Sequence, residues 1–106
     1  TGRMPTSIQA GVYSAVTHYL KAIEAAGTDE ASAVAAAMRG QPVNDVFTSG
    51  GKVREDGLML HDMYLVQVKA PGQSKEPWDY FDVVRTIPGE EVFGNLEDGT
   101  CALVRK

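Results

Sequence analysis

The sequence predicts an α/β chain, a helical hairpin followed by strands, and three observations carry that prediction. Residues 6–27 hold apolar side chains at helical spacing between a capping residue and a glycine. Residues 28–42 form an alanine-rich run closed by glycine and proline. From Leu58 onward the pattern changes to β-rich alternation, clearest over Tyr64-Leu65-Val66-Gln67-Val68 and again over 80–86.

The first helix starts after Pro5, where Thr6 or Ser7 can accept the unpaired N–H groups of the opening turn. Ile8, Val12, Val16, Tyr19, Leu20 and Ile23 form its apolar stripe, and Gly27 suits the left-handed position that ends it. The second helix follows at once. Thr28 is its expected N-cap, and Asp29 and Glu30 place negative charge against the positive helix end. Ala31 to Met38 is nearly all alanine with Val34 interleaved, Arg39 suits the last turn, Gly40 the position beyond the helix, and Pro42 bars continuation. Such a short link makes an αα-hairpin.

Val43 to Thr48 reads as a short extended piece, Ser49-Gly50-Gly51 as a turn, Lys52-Val53-Arg54 as a brief strand, and Glu55-Asp56-Gly57 as a second turn. The run 64–68 reads as a central strand. Ala70 to Pro77, with two prolines and a glycine, reads as a loop and as the candidate internal boundary. Tyr80 to Thr86 is the next strand, Ile87-Pro88-Gly89 breaks it, Glu90 to Phe93 is a short helical turn, and Leu96 to Lys106 is an irregular tail with a turn at Asp98-Gly99.

Composition bounds the function. A chain of 106 residues holds one domain at most, and one that stands alone buries roughly two-thirds of its unfolded surface. The formal net charge is −4, and the ten Lys and Arg are scattered, so there is no basic footprint for nucleic acid. No run of about twenty apolar residues is present. The opening Thr1-Gly2-Arg3 reads either as the inside of a longer chain or as a tag remnant before Met4, so the lack of a signal-peptide pattern there says nothing of compartment. A single cysteine, Cys101, fits either a free thiol or a half-cystine whose partner lies elsewhere in a longer chain.

No motif assembles a catalytic centre. His18 lies mid-helix, expected to face solvent or pack at an edge. His61 and Asp62 are adjacent, and on a strand they face opposite sides and cannot chelate one metal. Ser49-Gly50-Gly51-Lys52 lacks the GxxxxGK[ST] spacing and a following helix, so it reads as a turn rather than a phosphate loop. The acidic pairs Glu55-Asp56 and Glu90-Glu91 read as solvated turns, and Trp78, Tyr80 and Phe81 as an aromatic cluster covering a core edge. The first helix offers more: Ile8, Gln9 and Ala10 lie at its positive end, where unpaired N–H groups can meet a carboxylate, and Gln9 adds a donor and an acceptor.

Three blocks, in order and spacing, resemble the last third of type I periplasmic solute-binding proteins, the extracellular receptors of branched-chain amino-acid-type ABC importers. They are Gln9-Ala10-Gly11-Val12-Tyr13-Ser14-Ala15-Val16 with Ala22-Ile23-Glu24-Ala25-Ala26-Gly27, then Gly51-Lys52-Val53-Arg54-Glu55-Asp56-Gly57, then His61-Asp62-Met63-Tyr64-Leu65-Val66-Gln67-Val68-Lys69. The tail from Lys75 is similar to a subgroup associated with aromatic acids. The resemblance implies the C-terminal segment of a two-lobed fold in which residues 1–60 belong to the first lobe, 61–65 make the third crossing between lobes, and 66–106 complete the second. It implies ligand contacts at Ile8, Gln9 or Ala10, with His61 close to the cleft and most of the site lying upstream. It implies a small-molecule ligand (an amino acid or aromatic acid), an ABC permease and the remainder of the receptor chain as partners, a periplasmic location, no cofactor, no metal and no enzymatic turnover. The rival reading is a small self-associating α+β interaction domain without ligand.

Overall fold

The structure, a computed structural model, describes residues 2–99 together with Ala102 and Val104. Cys101 lies outside the described residues. The order of elements is α1 (Ser7–Ala26), α2 (Ala31–Gly40), β1 (Lys52–Val53), β2 (Met59–Leu60), β3 (Met63–Val68), β4 (Phe81–Ile87), α3 (Gly89–Val92) and a 3₁₀ turn at Leu96–Asp98.

Helix α1 begins where the sequence places it, and its cap is more complete than expected. Thr6 Oγ1 accepts the Gln9 N–H at 3.2 Å, and Gln9 Oε1 accepts the Thr6 N–H at 2.9 Å, a capping box that satisfies two orphan donors reciprocally. Gly27 ends the helix at φ 64°, its N–H bonded to the Ile23 carbonyl at 2.9 Å. Helix α2 departs from expectation at both ends. Its N-cap is Glu30, whose carboxylate accepts the Ser32 and Ala33 N–H groups at 3.0 and 2.8 Å, while the Thr28 hydroxyl accepts the Glu30 N–H one step earlier. A carboxylate reaches both N–H groups and meets the helix dipole with full charge, which the Thr28 hydroxyl does not. Gly40 is the last helical residue, and Gln41 leaves the helix extended at φ −115°.

The two helices pack on each other, with β1 beside α2. The face that α1 buries carries Ser14, His18 and Ala22, and Gly11 and Ala15 of the same face line an apolar crevice with Met38, Val53 and Met59. Small residues there let the backbones approach closely. His18 therefore does not face solvent: it is buried, and its Nε2 lies 2.9 Å from the Met38 carbonyl. The predicted apolar stripe lies on the other side of α1 and is open, with Ile8 76% exposed and Val12, Val16 and Leu20 more than half exposed. Among the described residues the buried hydrophobic core is small, formed by Ala22, Val34 and Val43.

Val43 pairs with Gly51 in a single antiparallel bridge, and the intervening residues turn around Asp45 instead of extending. Strands β1 and β2 form a hairpin, Lys52 opposite Leu60 and Val53 opposite Met59, whose turn contains Gly57 at φ 83°. Strands β3 and β4 form the second antiparallel pair, from Met63 opposite Ile87 to Val68 opposite Phe81. A bulge at Leu65/Val66 leaves Val84 unpaired. The loop 70–77 joins these two paired strands and so separates no domains. Among the described residues β3 has one strand neighbour, not the two of a central strand. Yet Met63, Tyr64, Leu65, Val66, Val83 and Val84 are all exposed, so the ribbon is apolar on both faces, the pattern of strands covered on both sides in an α/β sheet. Trp78 and Tyr80 meet edge to face and are about half exposed, with Trp78 at φ 75°. In this structure the aromatic cluster covers no core.

Candidate functional site

Where the chain leaves the helical body for the β3–β4 ribbon and where it returns, the two connections lie against each other. His61 and Asp62 form the outgoing connection and occupy no strand. Gly89 forms the return. Its backbone sits so close that a methyl group on its Cα would lie 2.8 Å from both the His61 nitrogen and the His61 carbonyl oxygen. Asp62 Oδ1 accepts the Gly89 N–H at 3.2 Å. The His61 ring stands edge to face with Phe47, centroids 5.0 Å apart, and with Phe93, at 5.4 Å. Its Nδ1 is 3.0 Å from the Asp62 carbonyl oxygen. A few residues on, the Arg54 guanidinium donates to the Gly94 carbonyl at 2.6 Å while paired with Asp56 through both of its other nitrogens.

This junction opens into a cleft of about 220 Å³ lined by Ser49, Gly50 and Lys52, by Leu60, His61 and Asp62, and by Pro88, Gly89 and Glu90. Its chemistry is a lysine ammonium, two carboxylates, an imidazole and a hydroxyl. Among the described residues no hydroxyl or thiol is hydrogen-bonded to His61.

The turn that supplies Phe47, Ser49 and Gly50 is held by two adjacent side chains. Asp45 Oδ1 accepts the Phe47 and Thr48 N–H groups at 2.7 and 3.1 Å, and its Oδ2 accepts the Ser14 hydroxyl at 2.6 Å. Asn44 Oδ1 accepts the Gly50 N–H at 2.7 Å, and Lys21 Nζ donates to the Asn44 carbonyl. Desolvation pushes the Asp45 carboxyl up. The Ser14 hydroxyl, the two backbone N–H groups and the Lys21 charge together outweigh it, so Asp45 ionises below its ordinary 3.8.

The sequence-predicted residues fall in two places. His61 lines the cleft; Ile8, Gln9 and Ala10 do not. At the start of α1 the Ala10 N–H is bonded to the Thr6 carbonyl at 3.0 Å and the Gln9 N–H to the Thr6 hydroxyl. The N–H groups left for an anion by helix geometry are therefore those of Ser7 and Ile8. Sequence reasoning missed Ser14, Asp45, Phe47, Lys52, Gly89 and Phe93. For Asp45 a local signal exists, since Asn-Asp ahead of Ser-Gly-Gly is the composition of an Asx turn; the others are brought together only by the tertiary fold.

An αα-hairpin feeding strands that leave and re-enter a helical body through adjacent connections, with apolar faces uncovered on α1 and on the ribbon, is the architecture of a segment of a larger α/β fold rather than of a finished domain. Residues 1–75 match the sequence profile of the periplasmic binding protein family, and the chain belongs to that family. Two solved structures are similar over almost its whole length. A periplasmic binding protein from Burkholderia mallei is 48% identical over 97% of this chain, with a TM-score of 0.88. A branched chain amino acid ABC transporter periplasmic ligand-binding protein from Burkholderia xenovorans LB400 is 44% identical over 96%, also with a TM-score of 0.88. The chain spans 27% of the length of each. No curated protein matches it.

Proposed function

We propose that the chain is the C-terminal part of a periplasmic receptor that binds a small amino-acid-like carboxylate and delivers it to an ABC permease. The likeness at 44% identity to a ligand-binding protein of a branched chain amino acid transporter is the observation that carries the reading. The cleft at His61 supports it. Lys52 offers a cation to a carboxylate, and Asp62 and Glu90 offer carboxylates to an ammonium, the complement of an amino acid's two charges.

In this reading residues 1–60 belong to the first lobe, 61–65 cross, and 66–106 serve the second lobe, with residues 88–94 lying back against the crossing. His61 lines the solute cleft, and the start of α1, at Ile8, Gln9 and Ala10, presents its positive end to the solute from the first lobe. The remainder of the receptor supplies the other contacts. Solute binding favours the closed arrangement by its difference in affinity for closed and open forms, which is the signal a permease reads. No bond is made or broken.

Thermal melting of the whole receptor tests this. A solute present at a hundred times its Kd stabilises by about 2.7 kcal/mol and raises the melting temperature by several degrees. Leucine, isoleucine and valine are the expected hits. A shift with benzoate alone reassigns the site to aromatic acids, and no shift with any of the four removes the proposal.

A further inference from the structure

The geometry points to Ser14 and Asp45 as positioning residues for the solute cleft, a role that deepens the proposed function and, for its effect on binding, rests on it. Ser14 is fully buried in the middle of a twenty-residue helix. A hydroxyl in that position carries a desolvation cost that alanine, of nearly the same size, avoids. What the hydroxyl gains is one bond: it donates to Asp45 Oδ2 at 2.6 Å, across 31 residues of sequence. Because the ionised carboxylate only accepts, the direction of that bond is fixed. The other oxygen of Asp45 then fixes the Phe47 and Thr48 N–H groups. The same turn presents Ser49 and Gly50 to the cleft and sets Phe47 against the His61 ring. The Asp45 carboxylate therefore ties a rigid helix to the part of the turn that carries Phe47, beside Asn44, which holds Gly50, and neither Ser14 nor Asp45 lines the cleft itself.

The experiment uses the whole receptor with Ser14→Ala, Asp45→Ala and Asp45→Asn, and with Ser32→Ala on the exposed side of α2 as control. Amide exchange of residues 46–51 and the Kd for leucine are measured on each. Ser14→Ala is expected to speed exchange in 46–51 and to weaken leucine binding, each by about tenfold, the worth of one hydrogen bond to a charged group, and Asp45→Ala, which loses three such bonds, to do both by more than about tenfold. Asp45→Asn is expected to stay near wild type, because its amide oxygen keeps the two backbone bonds and its NH₂ donates to the Ser14 hydroxyl. That rescue separates positioning from loss of charge. Unchanged exchange in Ser14→Ala overturns the inference. So does faster exchange with an unchanged Kd, which makes the tie purely structural. If the wild-type receptor binds no leucine, the proposed solute is wrong. Local acceleration in Ser14→Ala, with rescue in Asp45→Asn, then still supports the positioning of the turn, and its absence still overturns it.

Discussion

A methyl group at residue 89 has nowhere to go. The atoms it meets are the His61 backbone, not the end of a flexible side chain, so Gly89→Ala must push the two connections apart. We expect the whole receptor carrying it to lose about 1–3 kcal/mol, the usual range for overpacking, in urea unfolding; a midpoint equal to wild type would show that the connections separate freely. Asp45 adds a prediction in pH. Its folded pKa lies below its ordinary 3.8, so its contribution is fully present above that value and is lost as pH falls through the lower folded pKa. Glu30, Asp56 and Asp79 are also lowered, by backbone N–H groups at Glu30, by Arg54 at Asp56 and by Lys69 at Asp79, so acid sensitivity is shared. The difference between wild type and Asp45→Asn isolates the one group. Melting curves from pH 7 to 3 should run parallel until the acid limb, where wild type falls faster; curves parallel throughout would refute the assignment.

The helices and turns were legible where local chemistry decides them. Thr6, Gly27, Pro42 and Asp56-Gly57 each fix a boundary within a few residues of themselves, and α1 and the β1–β2 turn stand where those residues put them. Glu30 shows the limit of that reading, since its two bonds to the first turn compete with a nearby hydroxyl and win. The caps should therefore carry measurable stability. Thr6→Ala opens the capping box and is expected to cost about 1 kcal/mol, and Glu30→Ala a similar amount, while Thr28→Ala costs less. Equal losses for Glu30→Ala and Thr28→Ala in chemical unfolding of the whole receptor would contradict this order. The junction was not legible for the opposite reason. Ser14 meets Asp45 across 31 residues, Asp62 meets Gly89 across 27, and Arg54 meets Gly94 across 40, and such pairs leave no pattern in either local stretch. The resemblance to a known family singled out His61, which residue chemistry alone did not.

At the scale of the molecule, the meaning of the apolar stripe on α1 depends on what surrounds it. The chain has a radius of gyration of 17.0 Å, against roughly 13 Å for a compact domain of about a hundred residues. Its two-sided apolar ribbon and the row Ile8, Val12, Val16, Leu20 lie open. Periodicity reads the row as a burying face, yet among the described residues nothing covers it; what the segment itself buries on α1 is the small and polar side. The relatives, of which this chain spans 27%, have length to spare for covering both faces. Val16→Lys and Leu20→Lys separate the two environments. In the isolated 106-residue polypeptide they place charge on an open surface and should leave helicity unchanged while raising solubility. In the whole receptor the same lysines enter an apolar contact without a counter-charge, and each should cost several kcal/mol and lower the melting temperature by many degrees. A receptor that tolerates both with its melting point intact would mean that this face of α1 looks onto water in the finished protein, and the helix would then owe its place to the Ser14, His18 and Ala22 side alone.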